Sequence, residues 1–326
     1  MDSQKLEKKE QKLRKKIVKP IIVSLKISAM NNSNKKPNPN TKFFGPPIKK
    51  QDQEHPGIEK KLKPQADHGE KSYVGYNRFK NKSVIITGGD SGIGKAIAIA
   101  FAREGADVLI SYLADIEEED ANDTAKWIEK AGKKAVLVKG DIGDEKHCKS
   151  IIKAALDNFG KIDVLINNAA FQMGRKTIEE IPSEEWQKTF DTNITAMFYL
   201  CKAAIKHMKP GSSIINTTSV NAYDPSEDLL AYAATKSAIQ NFTANLSQIL
   251  LKQKLGIRVN AVAPGPIWTP LIPSTRDNYK YFGKNTAMQR PGQPVEVAPA
   301  YLFLASEEAS YISGATLPVT GGRITI

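Results

Sequence analysis

From Asn81 onward, short runs of β-branched and apolar residues alternate with amphipathic stretches of ten or more residues. That alternation restricts the fold more than any other feature of the chain. It predicts strands over Ser83–Thr87, Asp107–Ser111, Ala135–Lys139, Val164–Asn167, Ser213–Ser219, Ile257–Ala263 and Thr316–Thr320, with helices between them. The runs are apolar almost throughout rather than at every second residue, so both faces of the sheet must be covered. Strand–helix alternation with such strands means a doubly wound parallel α/β sheet in one domain, residues 81–326.

Residues 1–80 have a different texture, rich in Lys, Asn, Gln and Pro. Scattered prolines from Pro37 to Pro64 prevent any long helix or strand there, and the segment reads as an irregular arm. It also holds the charge asymmetry. The chain carries net +12, but 20 basic and 8 acidic residues fall in Met1–Lys80, leaving 27 of each sign in the remainder. A neutral body argues against specific nucleic-acid binding, while a basic tail keeps a weak anionic contact open. Met30 is a candidate start, because the residues before it are Lys-rich and helix-prone. Cys148 and Cys201 form no metal-ligand or CxxC spacing, which suits a reducing cytoplasm. The apolar stretch Ile21–Ala29 is interrupted by Lys26, far short of the roughly 20 residues that span a bilayer, and no A-x-A site follows it. Neither membrane insertion nor secretion is expected.

The first predicted strand runs directly into Thr87-Gly88-Gly89-Asp90-Ser91-Gly92-Ile93-Gly94 and then into a helix-like Lys95–Arg103. Strand, glycine turn and helix in that order make a dinucleotide-binding, Rossmann-like fingerprint. Gly88 permits the tight turn, Gly92 lets backbone approach a pyrophosphate, and Gly94 lets helix pack on strand. The helix N-terminus, just after Ile93-Gly94, offers free N–H groups and a positive dipole to phosphate. At the end of the second strand, where a carboxylate would bond the ribose of NAD, the chain has Ser111-Tyr112-Leu113. Ser91 stands where a basic residue would favour NADP. That softens the preference, but because no carboxylate at the strand end guards against a 2′-phosphate, NADP is the favoured cofactor, with NAD the close alternative. Asp141, followed by Ile142, is placed either to accept from an adenine amino group or to cap the next helix near Asp144.

Tyr232 and Lys236 are four residues apart in Leu230–Lys252, which reads as one long helix, so they share a face. An ammonium beside a phenol favours the phenolate, as a general acid/base requires. Ser219 closes a strand at the carboxyl rim of the sheet, where such folds bind ligands and where a hydroxyl can hold a substrate oxygen.

The Thr87–Gly94 turn, Asn167-Asn168-Ala169, Asn193, Ser219, Tyr232, Lys236 and Pro264-Gly265 follow one another as in the short-chain dehydrogenase/reductase family, which residues 81–326 resemble. Within the arm, Phe44-Gly45-Pro46-Pro47, Gln51-Asp52-Gln53 and His55-Pro56-Gly57-Ile58-Glu59 resemble the leader of its general stress protein, or glucose-and-ribitol dehydrogenase homologue, subgroup. The resemblance implies Tyr232 as acid/base, Lys236 bonding the nicotinamide ribose, Ser219 orienting the carbonyl and Asn193 holding a relay water. It also implies Asn167 and Ala169 along the cofactor path, with Pro264, Gly265, Ile267 and Thr269 near the carboxamide. One departure is Ala170, where the family has glycine.

Thr269–Arg290, with Tyr279, Tyr281 and Phe282, reads as a substrate lid, and Tyr223, Asp224 and Glu227 as polar groups for a hydroxylated substrate. The family resemblance implies a homotetramer, its arm lying on a neighbouring subunit. The expected activity is an NAD(P)-linked conversion of a small alcohol or carbonyl. The alternative is a cofactor-binding regulator on the same fold, which would be expected to have lost Tyr232 or Lys236.

Overall fold

The computed structural model describes residues 38–323. The Met30 expectation lies outside them. Seven parallel strands form one sheet in the order β3-β2-β1-β4-β5-β6-β7. They are β1 Ser83–Thr87, β2 Asp107–Tyr112, β3 Ala135–Lys139, β4 Ile162–Asn167, β5 Met208–Thr217, β6 Arg258–Pro264 and β7 Thr316–Val319. All seven predicted strands exist, β1 and β3 with the predicted bounds and the other five with shifted ends. β5 begins at Met208 because a bulge opposite β4 carries the pairing from Met208 past Lys209-Pro210-Gly211, which reads as a loop. It ends at Thr217, so Ser219 lies beyond the strand and opens the 3-10 turn Val220–Ala222.

The helices are α1 Gly92–Arg103, α2 Glu118–Lys130, α3 Glu145–Phe159, α4 Ser183–Phe190, α5 Ala196–Ala204, α6 Leu230–Lys252, α7 Leu271–Thr275 and α8 Pro294–Ala305. β1 shows why its strands are apolar throughout. Val84 and Ile86 join a core with α1, α2 and α8 on one face, and Ile85 joins α3, α5 and α6 on the other. Strand order reverses beside β1: the chain runs outward through β2 and β3, then returns to β4 on the opposite side. A crevice opens at such a switch point, over the carboxyl ends of β1 and β4, which places the glycine turn and Asn167-Asn168-Ala169 side by side.

Residues 43–80 carry almost no regular structure, yet they belong to the compact unit that begins at Phe43. They pack on the body of their own chain. Leu62 and Ile48 are buried with Trp268, Ile272 and Tyr279, and the indole N–H of Trp268 donates to Pro64 O at 2.8 Å. Glu104, at the end of α1, is fully buried and accepts from Tyr73 Oη at 2.6 Å, from Tyr76 N and from Arg78 Nε. An irregular segment thus keeps its polar backbone satisfied by borrowing partners from the body. The lid segment is pinned by the same contacts: Tyr279 accepts from Gln51 N at 2.6 Å and Phe282 packs on Trp268, leaving Tyr281 exposed. Among the described residues no helix is long and apolar enough to cross a membrane.

Candidate active site

A cavity of about 500 Å³ occupies the crevice and collects most of the expected site residues. Gly88, Ser91, Gly92, Ile93, Tyr112, Leu113, Asp141, Ile142, Ala169, Ser219, Tyr232, Lys236, Pro264, Gly265, Ile267 and Thr269 all line it. Gly94, Asn167 and Asn193 do not. A Cβ at Gly94 would overlap the Gly88 carbonyl, so this glycine sets the approach of helix to turn, while Gly88 itself holds φ +61°. These are the demands of a turn that cradles phosphate on backbone amides. The residues therefore fit a dinucleotide.

Asn167 is buried and donates to Asn216 Oδ1 at 2.8 Å, so its side chain braces β4 against β5 while Asn168 and Ala169 meet the cavity. Asn193 sits in a π-helical turn, Asp191–Thr195. Its amide accepts from Phe171 N at 2.7 Å and donates to Phe171 O and to Thr235 Oγ1, so it clamps the loop after β4 to α6. Asp141 accepts from Gly143 N at 2.8 Å, and Asp144 caps α3 by accepting from Lys146 N. Asp144, not Asp141, is thus the cap, and Asp141 lies at the cavity edge.

Tyr232 and Lys236 lie on the first two turns of α6. The Lys236 ammonium is buried, donates to Thr217 O at 2.7 Å and lies 5.2 Å from the centroid of the Tyr232 ring. Thr218 Oγ1 donates to Lys236 O and Thr235 Oγ1 to Tyr232 O, fixing the start of the helix against the end of β5. The electrostatics run opposite to the sequence expectation. Burial pushes the Tyr232 phenol up to about 12, with a hydrogen bond to Ser219 pulling the other way. Burial also pulls Lys236 down to about 7. Desolvation, which disfavours charge on either group, dominates both shifts.

Several lining residues carried no sequence signal. Glu117 accepts from Leu113 N at 2.9 Å and Ala114 N at 3.0 Å, so a carboxylate does stand at the end of β2, four residues later than expected. Burial raises it, and raises Asp90 beside it, which Glu117 pushes further. At the other end the wall includes Gln172, Asn221, Ser226 and Arg276. Arg276 is held by both oxygens of Asp228, at 2.8 and 2.7 Å. Tyr223, Asp224 and Glu227 stay outside the wall, and Asp224 pairs with Arg323 instead. His55 of the arm also lines the cavity, edge-on to Phe171, and burial lowers it to about 4. Among the described residues no cluster of His, Cys, Asp or Glu is placed to hold a metal ion.

A glycine turn at the switch point of a parallel sheet, facing a Ser-Tyr-Lys set across one cavity, defines a nicotinamide-dinucleotide-dependent oxidoreductase. The family model described as Enoyl-(Acyl carrier protein) reductase matches residues 88–323. Among similar proteins, the glucose and ribitol dehydrogenase of Daucus carota is 45% identical over 285 residues, covering 86% of this chain and 97% of that one. The chloroplastic NADPH-dependent aldehyde reductase 1 of Arabidopsis thaliana is 45% identical over 276 residues, covering 82% and 95%. A short-chain dehydrogenase of Burkholderia cenocepacia, solved in complex with NADP, superposes with a TM-score of 0.70 at 30% identity, covering 75% and 98%. The chain belongs to the short-chain dehydrogenase/reductase family.

Proposed function

We propose that the chain interconverts a carbonyl and an alcohol on a small aldehyde, sugar or polyol, with Tyr232 as the acid/base and NADP as the favoured cofactor, NAD the alternative. The observation that carries this is the shared cavity: the phosphate turn and the Ser219, Tyr232 and Lys236 side chains all face it. When bound, the dinucleotide supplies or accepts the hydride. The protein does the rest. The Gly88–Ile93 turn holds the phosphates, Asp141 and Ile142 border the adenosine end, and Ile267 and Thr269 meet the nicotinamide end. Ser219 orients the substrate oxygen. Tyr232, protonated at neutral pH, gives its proton to that oxygen in reduction and takes it back in oxidation. Lys236, bonded to Thr217 O, holds the ribose and tips the phenol toward ionisation when it is charged. Asn193 acts through Thr235 and Phe171, keeping the helix in place beside a relay water.

Gln172, Asn221 and Arg276 give the substrate end hydrogen-bonding groups suited to hydroxylated molecules. The names of the carrot and Arabidopsis relatives, sugar and polyol for one and aldehyde for the other, support the same range. The NADP bound to the Burkholderia structure supports the cofactor assignment. We place the enzyme in the cytoplasm, as a homotetramer whose basic residues before Lys80 take no specific nucleic acid. Intact Tyr232 and Lys236 disfavour the regulator reading. A panel of aldehydes, aldoses and polyols, each offered with NADPH or NADP and with NADH or NAD, tests the proposal by absorbance of the reduced nicotinamide. Turnover of at least one class supports it, and no turnover across the panel overturns it.

A further inference from the structure

The arm reaches the phosphate turn itself. Glu59, 3% exposed, accepts the Gly92 N–H at 2.9 Å, at the first residue of α1. Its own N–H donates to Asp120 Oδ2 on α2 at 2.7 Å, which fixes its backbone. Behind it sits His68, 2% exposed, with Nε2 3.1 Å from the same Glu59 oxygen and Nδ1 3.1 Å from Glu70. Lys95 of α1 closes the cluster, 3.4 Å from Glu70 and 2.7 Å from Asp123. Burial alone would keep His68 neutral, but Glu59 and Glu70 facing it raise it to about 9, so it is an imidazolium at neutral pH. The neighbouring arm residues His55, Pro56 and Gly57 line the cavity, and Gly57 lies so close to Pro270 that a Cβ there would clash with its carbonyl.

A helix start attracts anions through its free amides and its dipole. Here one amide is already taken by a carboxylate from the arm, and an uncompensated negative charge at that point would repel a dinucleotide pyrophosphate. We propose that Glu59 and His68 act as a positioning pair for the dinucleotide: the carboxylate fixes the Gly92 amide and so the shape of the turn, and the imidazolium cancels its charge so that the turn still accepts phosphate. The inference rests on the dinucleotide assignment made above. It makes the arm part of the cofactor site, through two side chains that touch neither the cofactor nor the substrate.

The test is the dissociation constant of NADPH, by fluorescence titration of the full chain, for the parent protein, Glu59→Gln, His68→Gln and the double variant, with thermal melting of each. His68→Gln leaves the carboxylate uncompensated and should weaken NADPH about tenfold, the scale of one charge at a helix terminus. Glu59→Gln keeps an acceptor for Gly92 without the charge and should bind NADPH at least as tightly as the parent. The double variant should return to within about twofold of the parent, although it melts lower, because removing both charges ends the coupling. A packing role gives the opposite result, with the double variant weakest. Should His68→Gln fail to fold, weaker binding by Glu59→Gln overturns the inference on its own. Equal binding by all four proteins with turnover intact overturns the inference and leaves the oxidoreductase assignment standing. No NADPH binding by the parent overturns both.

Discussion

Replacing Lys236 by methionine should abolish turnover if the proposed mechanism holds, and yet stabilise the protein, because a buried cation is a burden on the fold. Burial lowers Lys236 from 10.5 to about 7. A gap of that size corresponds to about 4–5 kcal/mol of destabilisation when the group is forced to stay charged. Methionine removes that cost but loses the bond to Thr217 O, worth about 1–2 kcal/mol. The net gain is therefore about 2–4 kcal/mol at pH 6. The sign in pH follows from proton counts. The folded value lies below the unfolded one, so across pH 7 to 10.5 the unfolded chain holds the extra proton, and the parent gains stability as pH rises. The methionine variant lacks that slope. Its advantage should thus be largest at pH 6 and shrink by about 2–3 kcal/mol at pH 9. Urea unfolding of both proteins at the two pH values, without cofactor, measures it. A variant less stable than the parent at pH 6, or an advantage of the same size at pH 9, would refute the reasoning.

Glu104→Ala strips a buried carboxylate from Tyr73, Tyr76 and Arg78 and should cost about 3–5 kcal/mol by urea unfolding. Burial raises Glu104, but its bonds to Arg78, Tyr73 and the backbone N–H groups outweigh this and hold it at about 2, so the parent should lose this contribution as pH falls from 4.5 toward 2. Glu117→Gln removes the carboxylate at the end of β2 and should raise the ratio of kcat/KM for NADP over NAD about fivefold or more, read from initial rates with each cofactor. Cys148 and Cys201, both buried and both pushed up to about 12, should resist iodoacetamide in the native state at pH 8 and react only after denaturation, as followed by mass spectrometry.

The parallel sheet was legible because its strands are continuous apolar runs, and α6 was read with the bounds it has, Leu230–Lys252, because no proline or glycine interrupts it. The glycine turn, Ser219, Tyr232 and Lys236 were legible because each is a residue type demanded by local geometry or chemistry. What escaped was long-range. Glu59 meets Gly92 across 33 residues and Trp268 meets Pro64 across 204, and neither contact leaves any periodicity in the chain. The arm was readable as irregular from its prolines, and the resemblance implied that it docks on a neighbouring subunit, but not that it packs on the body of its own chain, because isolated apolar residues such as Ile48 and Leu62 reveal their burial only once a partner surface exists. Glu117 escaped for a local reason: it folds back in a 3-10 turn onto Leu113 and Ala114, so spacing along the chain hid its return to the cavity. The direction of the Tyr232 and Lys236 shifts escaped because proximity was visible from spacing and burial was not.

In the proposed mechanism the Tyr232 hydroxyl moves the proton while the glycine turn holds the dinucleotide. Tyr232→Phe removes only that oxygen, so turnover of the best substrate, measured beside NADPH affinity in the same preparation, tests the claim most directly. On this mechanism kcat should fall at least about a hundredfold with the NADPH dissociation constant nearly unchanged. Turnover retained with the phenylalanine in place would contradict it.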